Sequence, residues 1–216
     1  MRNLKTHIII TALALSGFLT AGNVPGYIVK NNADTVWGTI KISSFGKISG
    51  AYNLSGIETE TYYFGVSFKA DDETKFTIYY PESLQGFAFQ YKSTQYIFNR
   101  FTLNFKSIVT SEKQRNRFLC LMYRDNNYQL YRNVLIDPNN GLISVPDKWL
   151  RFPVYYLYSE SKGIVKVEKS KKYKNLQSLL ADYDFDSRFI EQLDKKIDFI
   201  DIKDVLKQYN NWLKNN

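Results

Sequence analysis

Between Tyr27 and Glu168 the chain runs in short stretches rich in Tyr, Phe, Val and Ile, broken by clusters of Asn, Asp, Gly, Ser and Pro. Stretches of that length and composition, bounded by turn residues, predict β-strands. Tyr27–Val29 and Thr35–Ile42 flank Asn-Asn-Ala-Asp, residue types that accept turn geometries, so a β-hairpin is expected there. Residues 43–60 are richer in Gly and Ser and predict a loop. Phe64, Val66 and Phe68 alternate with Gly65 and Ser67, the two-residue period of a half-buried strand, and Asp71-Asp72-Glu73 separates this run from the next. Pro81 ends that second run. Strand-like texture resumes at Gly86 and continues to Phe105. Residues 110–117 are polar and expected to be exposed, and Phe118–Tyr123 is an apolar run expected to be a central strand. A strand from Tyr128 to Ile136, a turn at Asp137–Gly141, and strands at Val154–Tyr158 and Gly163–Glu168 complete the body.

After Glu168 the period becomes helical. Tyr173, Leu176, Leu179 and Leu180 form one stripe; Ile190, Leu193 and Ile197 form a second, with Asp186 or Ser187 as its cap. Ile202, Val205, Leu206, Tyr209, Trp212 and Leu213 form the clearest stripe, with Asp201 placed to cap it and Asp204 in its first turn. The expected fold class is α+β: a predominantly antiparallel β body over 22–168, followed by two or three short amphipathic helices over 169–216 that need an apolar partner surface. No internal repeat is visible.

The first 21 residues read differently. Arg2 and Lys5 precede twelve uncharged residues, Ile8–Leu19, and then Thr20, Ala21 and Gly22. A positive head, a short apolar middle and small residues at the end make the pattern of a cleaved secretory leader. The apolar run is shorter than the roughly 20 residues a membrane span needs. Residues 1–21 are therefore expected to be a signal peptide, with cleavage after Ala21 and 22–216 as a single exported domain, periplasmic, attached to the outer envelope or secreted. No transmembrane segment is expected after cleavage. The only histidine, His7, would leave with the leader, and the net charge would fall from +8 to +6. The lone cysteine, Cys120, sits in Phe-Leu-Cys-Leu-Met and is expected to be a buried packing residue.

The opening Gly26-Tyr27-Ile28, Asp34-Thr35 and Gly38-x-Ile40 resemble the start of a family of secreted bacterial proteins of unassigned activity. The segments around Tyr80-Pro81-Glu82 with Gly86-Phe87, Leu130-Tyr131, and Tyr209-Asn210 in the closing helix are similar to later motifs of that family. The resemblance implies export and a single domain over most of the mature chain. It implies no catalytic residue.

Several chemistries can be weighed on the residues alone. A mature chain without histidine lacks the imidazole of Ser-His-Asp and Cys-His catalysis and of most catalytic zinc sites. No phosphate-binding glycine loop of standard spacing is present. Asp182, Asp184 and Asp186 have the first three spacings of a calcium loop, but Ser187 stands where Gly is needed and Leu193 where Glu is needed. No cofactor and no metal is expected. Paired carboxylates remain open to a glycan-acting enzyme, with Glu58, Glu60, Asp71, Asp72, Glu73 and Glu82 in expected loops. The densest basic cluster is Lys166, Lys169, Lys171, Lys172 and Lys174, either a contact for an anionic glycan or membrane surface or a solvated junction between body and helices. The 17 Tyr, 15 Phe and 3 Trp serve strand cores and, where exposed, stack on sugar rings. The expected function is a non-catalytic envelope or extracellular protein that binds a protein or glycan partner and no nucleic acid. The alternative is the carboxylate-dependent enzyme, recognisable by two carboxyl groups facing each other across an aromatic-lined cleft.

Overall fold

The structure is a computed structural model that describes residues 22–42, 59–105, 113–133 and 154–216. The leader expected at 1–21 with His7, most of the loop expected at 43–60, and the turn expected at Asp137–Gly141 lie outside the described residues. The alternating runs form ten strands: β1 (Asn23–Lys30), β2 (Thr35–Lys41), β3 (Val66–Ala70), β4 (Thr77–Tyr79), β5 (Leu84–Tyr91), β6 (Thr94–Phe105), β7 (Lys113–Arg124), β8 (Gln129–Asn133), β9 (Val154–Ser159) and β10 (Gly163–Lys166). They make one sheet in the order β10-β9-β8-β7-β6-β5-β1-β2-β3-β4. Every pairing is antiparallel. Helices α1 (Leu176–Asp182), α2 (Ser187–Gln192) and α3 (Ile202–Asn215) follow. The α+β class is therefore observed, with a β-rich antiparallel body ahead of the helices.

The strand order forces the sheet to curl. Tyr79 ends β4 and Leu84 begins β5, so the link between them spans at most about 18 Å. In a flat sheet β4 and β5 would lie four strand spacings apart, about 19 Å, before any shift along the strands. Strands β1–β4 therefore bend round toward β5. Asn31 in the β1–β2 turn fastens the bend: its Nδ2 donates to Glu82 O (2.8 Å), and its carbonyl and Oδ1 accept from Gln85 Nε2 (3.0 Å) and Arg100 Nη1 (2.7 Å). Glycines make the curvature possible. Gly26 and Gly38 face each other across β1 and β2, and a β-carbon on Gly38 would lie 2.2 Å from Lys69 O and 2.7 Å from Phe68 Cζ.

The inner face carries two cores. Around the curl, Ile28, Ile40, Phe68, Phe87, Phe89, Phe98 and Phe118 pack together under Tyr62, with Cys120 buried among them. Phe87 stacks on Phe98 at 4.5 Å and meets Phe118 edge-on at 5.0 Å. Farther along the sheet, Leu130 and Leu157 meet Leu176, Leu179, Leu180, Ile202, Val205 and Leu206 of the helices. Met122 of β7 packs against both cores. A third cluster on the outer face joins Leu103, Leu119, Tyr131 and Tyr156 under Tyr63.

Four expectations need correction. Residues 113–117 belong to a strand, since β7 begins at Lys113; Gln114 is exposed as expected and Arg115 and Asn116 are half-buried, but Arg117 is only 7% exposed. Its guanidinium lies over the rings of Phe64 (4.8 Å) and Tyr63 (5.3 Å) and donates to Asn116 O (2.7 Å), so a flat cation is accommodated among aromatics. The second helical stripe does not extend to Ile197. Asp194 Oδ1 accepts from Lys196 N (2.8 Å), and this local bond competes with helix continuation, so α2 ends at Gln192. Asp201 makes no side-chain cap for α3. Its carboxylate accepts from Asp198 N (2.9 Å), and Asp198 caps a 3-10 turn over Phe199–Asp201 that leads into α3. On α3, Ile202, Val205, Leu206 and Tyr209 are buried, but Leu213 is exposed. Asp186 caps α2 as expected, accepting from Arg188 N at 2.8 Å.

Candidate functional site

Side chains alternate across a strand, so β2 sends Val36, Gly38 and Ile40 inward and Trp37 outward. Trp37 is 63% exposed, although β2 lies inside the sheet with β1 on one side and β3 on the other. Its cross-strand neighbour on the outer face is Tyr27, with ring centroids 5.0 Å apart and planes tilted by 57°. The outer-face row continues from Tyr27 to Ala88 of β5 and Ile97 of β6; the next row runs from Val29 to Gly86 and Asn99.

Gly86 has no side chain, so a groove of about 440 Å³ opens over it. Tyr27 and Val29 form one wall and Ile97 and Asn99 the other, with Gln85 and Arg100 at one end. The walls stand two strand spacings apart, about 10 Å between backbones. A β-carbon at Gly86 would lie 2.4 Å from Phe98 O and 3.2 Å from Asn99 Oδ1, so the amide oxygen of Asn99 overhangs the glycine. Asn99 Nδ2 donates to Tyr131 Oη (2.7 Å), and Tyr131 Oη donates in turn to Gln129 Oε1. This fixes the amide and turns its oxygen to the groove. Among the described residues Arg100 is the one cation lining it, and it is directed to Asn31 Oδ1 and Pro81 O. No carboxylate lines it among the described residues.

A second groove, about 640 Å³, lies where the β4–β5 link meets β6 and β7; it includes Tyr80, Glu82, Thr102, Arg115 and Arg117. Glu82 is its single acidic lining residue among the described residues. Of the other acids singled out, Glu58 lies outside the described residues. Asp71, Asp72 and Glu73 occupy the β3–β4 turn, where Glu73 Oε2 accepts from Ala70 N (3.3 Å). Among the described residues neither groove brings two carboxyl groups face to face.

No protein-family profile, curated protein or solved structure matches this chain.

The five lysines are not one free patch. Lys166 pairs with Glu168 (2.5 Å) and Lys172 with Asp182 (2.7 Å). The Lys172 and Tyr173 Oη hydrogen bonds hold the Asp182 carboxyl below its ordinary value. Lys169, Lys171 and Lys174 are exposed, and no carboxylate among the described residues pairs with them. The aspartates of the calcium-like spacing separate onto three cations: Asp182 onto Lys172, Asp184 onto Lys162 (3.1 Å) and Asp186 onto Arg188 (2.8 Å). Of the three tyrosines at 155–158, Tyr155 packs under the helices while Tyr156 and Tyr158 join the outer cluster.

The sequence reading missed Trp37, Tyr27 and the groove beside them. The signal was present in Thr35-Val36-Trp37-Gly38-Thr39-Ile40-Lys41, where Trp37 shares the polar phase with two threonines and a lysine.

Proposed function

We propose that this chain is an exported, non-catalytic binding protein of the bacterial cell envelope, and that it engages its partner through the outer face of β1, β2, β5 and β6. Export rests on the leader pattern of residues 1–21 and on the family resemblance, with 22–216 as one working unit. The observation that carries the binding face is Trp37. A large apolar ring left 63% exposed inside a paired sheet, beside a second aromatic and a groove, is expected where a partner covers it. Among the described residues no helix is long and apolar enough to cross a membrane.

The test is export followed by envelope co-sedimentation. Expressed from its full sequence in a bacterial host, the protein is expected outside the cytoplasm with an N-terminus near Gly22. It is expected to sediment with isolated envelopes, and Trp37→Ala is expected to abolish this without changing the thermal transition. A cytoplasmic chain beginning at Met1, or a variant that sediments like the parent, would overturn the proposal.

A further inference from the structure

Resting on that binding-face reading, we infer that the groove over Gly86 takes an uncharged oligosaccharide, with a pyranose ring packed on the Tyr27–Trp37 pair and its hydroxyls on the amides of Asn99 and Gln85.

The chemistry of the walls selects this class. Tyr27 lines one wall and the exposed Trp37 ring stands next to it at the groove's edge, and a pyranose offers such electron-rich rings the polarised C–H groups of its apolar face. The other wall and one end present an amide oxygen at Asn99 and the carboxamide of Gln85, whose Nε2 donates to Asn31 O (3.0 Å) and which keeps its Oε1 and a second N–H for hydroxyls. Asn99 is preorganised, because its Nδ2 is already committed to Tyr131. Among the described residues the lining holds no carboxylate and a single cation, Arg100, which sits at one end with its Nη1 donating to the neutral oxygens of Asn31 and Pro81. The backbone excludes another class. Strands β1, β5 and β6 are each paired on both sides, so no free N–H or C=O row is offered there to an extended peptide that binds by strand addition. A saccharide needs no such row.

Calorimetric titration of the full-length exported protein with chitohexaose, cellohexaose, maltohexaose, hexagalacturonate and an extended Val-Thr repeat peptide tests the inference. Saturable binding of at least one uncharged hexasaccharide is expected. It should weaken about tenfold or more in Trp37→Ala and in Tyr27→Ala, and less in Trp37→Phe. Circular dichroism melts of each variant establish that the sheet is intact. Preference for hexagalacturonate, binding of the peptide alone, or hexasaccharide binding that Trp37→Ala leaves unchanged would each overturn the saccharide assignment. Envelope co-sedimentation that depends on Trp37 with no uncharged hexasaccharide bound would overturn the saccharide while leaving the binding face standing. Loss of both would remove both.

Discussion

Tyr156 sits in the outer-face cluster with 8% of its surface exposed, and burial pushes its hydroxyl up to about 12. The unfolded chain releases that proton near the ordinary value of about 10. Between the two values the folded state holds a proton that the unfolded state has lost. The tyrosine's contribution is therefore complete below about 10 and disappears as pH rises toward 12, a loss of about 2 kcal/mol from this one group. Burial raises Tyr123 in the same direction, also to about 12. Urea-unfolding midpoints followed through this alkaline range should fall steeply for the parent and less steeply for Tyr156→Phe; equal slopes would show that Tyr156 ionises as it does in the unfolded chain. Residue identity was informative where one face of a strand decides the outcome, as for buried Cys120. It failed at Arg117, whose charge suggested solvent, because the Tyr63 and Phe64 rings that receive it come from a segment about 50 residues earlier.

Among the elements, β1 and β2 are tightly constrained at Gly26 and Gly38, where neighbouring atoms lie closer than a β-carbon tolerates. Gly38→Ala would place a methyl group against Lys69 O and the Phe68 ring, two groups fixed by the sheet and the core. The substitution should lower stability by about 3 kcal/mol, measured by chemical denaturation. A loss within about 0.5 kcal/mol would mean that the curl relaxes freely. Strands and helices were readable from the periods of two and of three to four residues, and the β1–β2 hairpin was placed by Asn31–Asp34. The turn's left-handed residue is nonetheless Ala33, at φ 69°, and not an asparagine. Its N–H donates to Lys30 O (2.9 Å), while Asn32 Oδ1 accepts from Asp34 N (3.2 Å), so the asparagine serves the turn through its side chain. Element ends were harder to place: the stop after Gln192 depends on one aspartate bonding its own neighbourhood.

At the scale of the whole molecule, β7 ties the two inner cores together, since Met122 touches both and β7 pairs with β6 and β8. Tyr123 Oη adds a tether from β7 to α3 through Leu206 O (3.3 Å). Damage in the helical core should therefore be felt in the curl. Leu206→Ala truncates a fully buried side chain and is expected to cost about 3 kcal/mol. Hydrogen exchange should report the same loss at amides of β1 and β2 as at amides of α3. Unchanged protection in β1 and β2 would mean that the two cores unfold independently.

The sequence by itself determined most of the strands, the change to helix after Glu168 and the inward side of Val66 and Phe68, because these follow from local periodicity. It also determined the leader pattern and the absence of imidazole after it, because these follow from composition. Only the tertiary structure decided that the sheet curls, that Gly86 opens a groove between Tyr27 and Asn99, and that Trp37 stands uncovered beside it. Those outcomes depend on which strands become neighbours. The neighbours β1 and β5 are separated by more than 50 residues of chain, and no local pattern records that they meet.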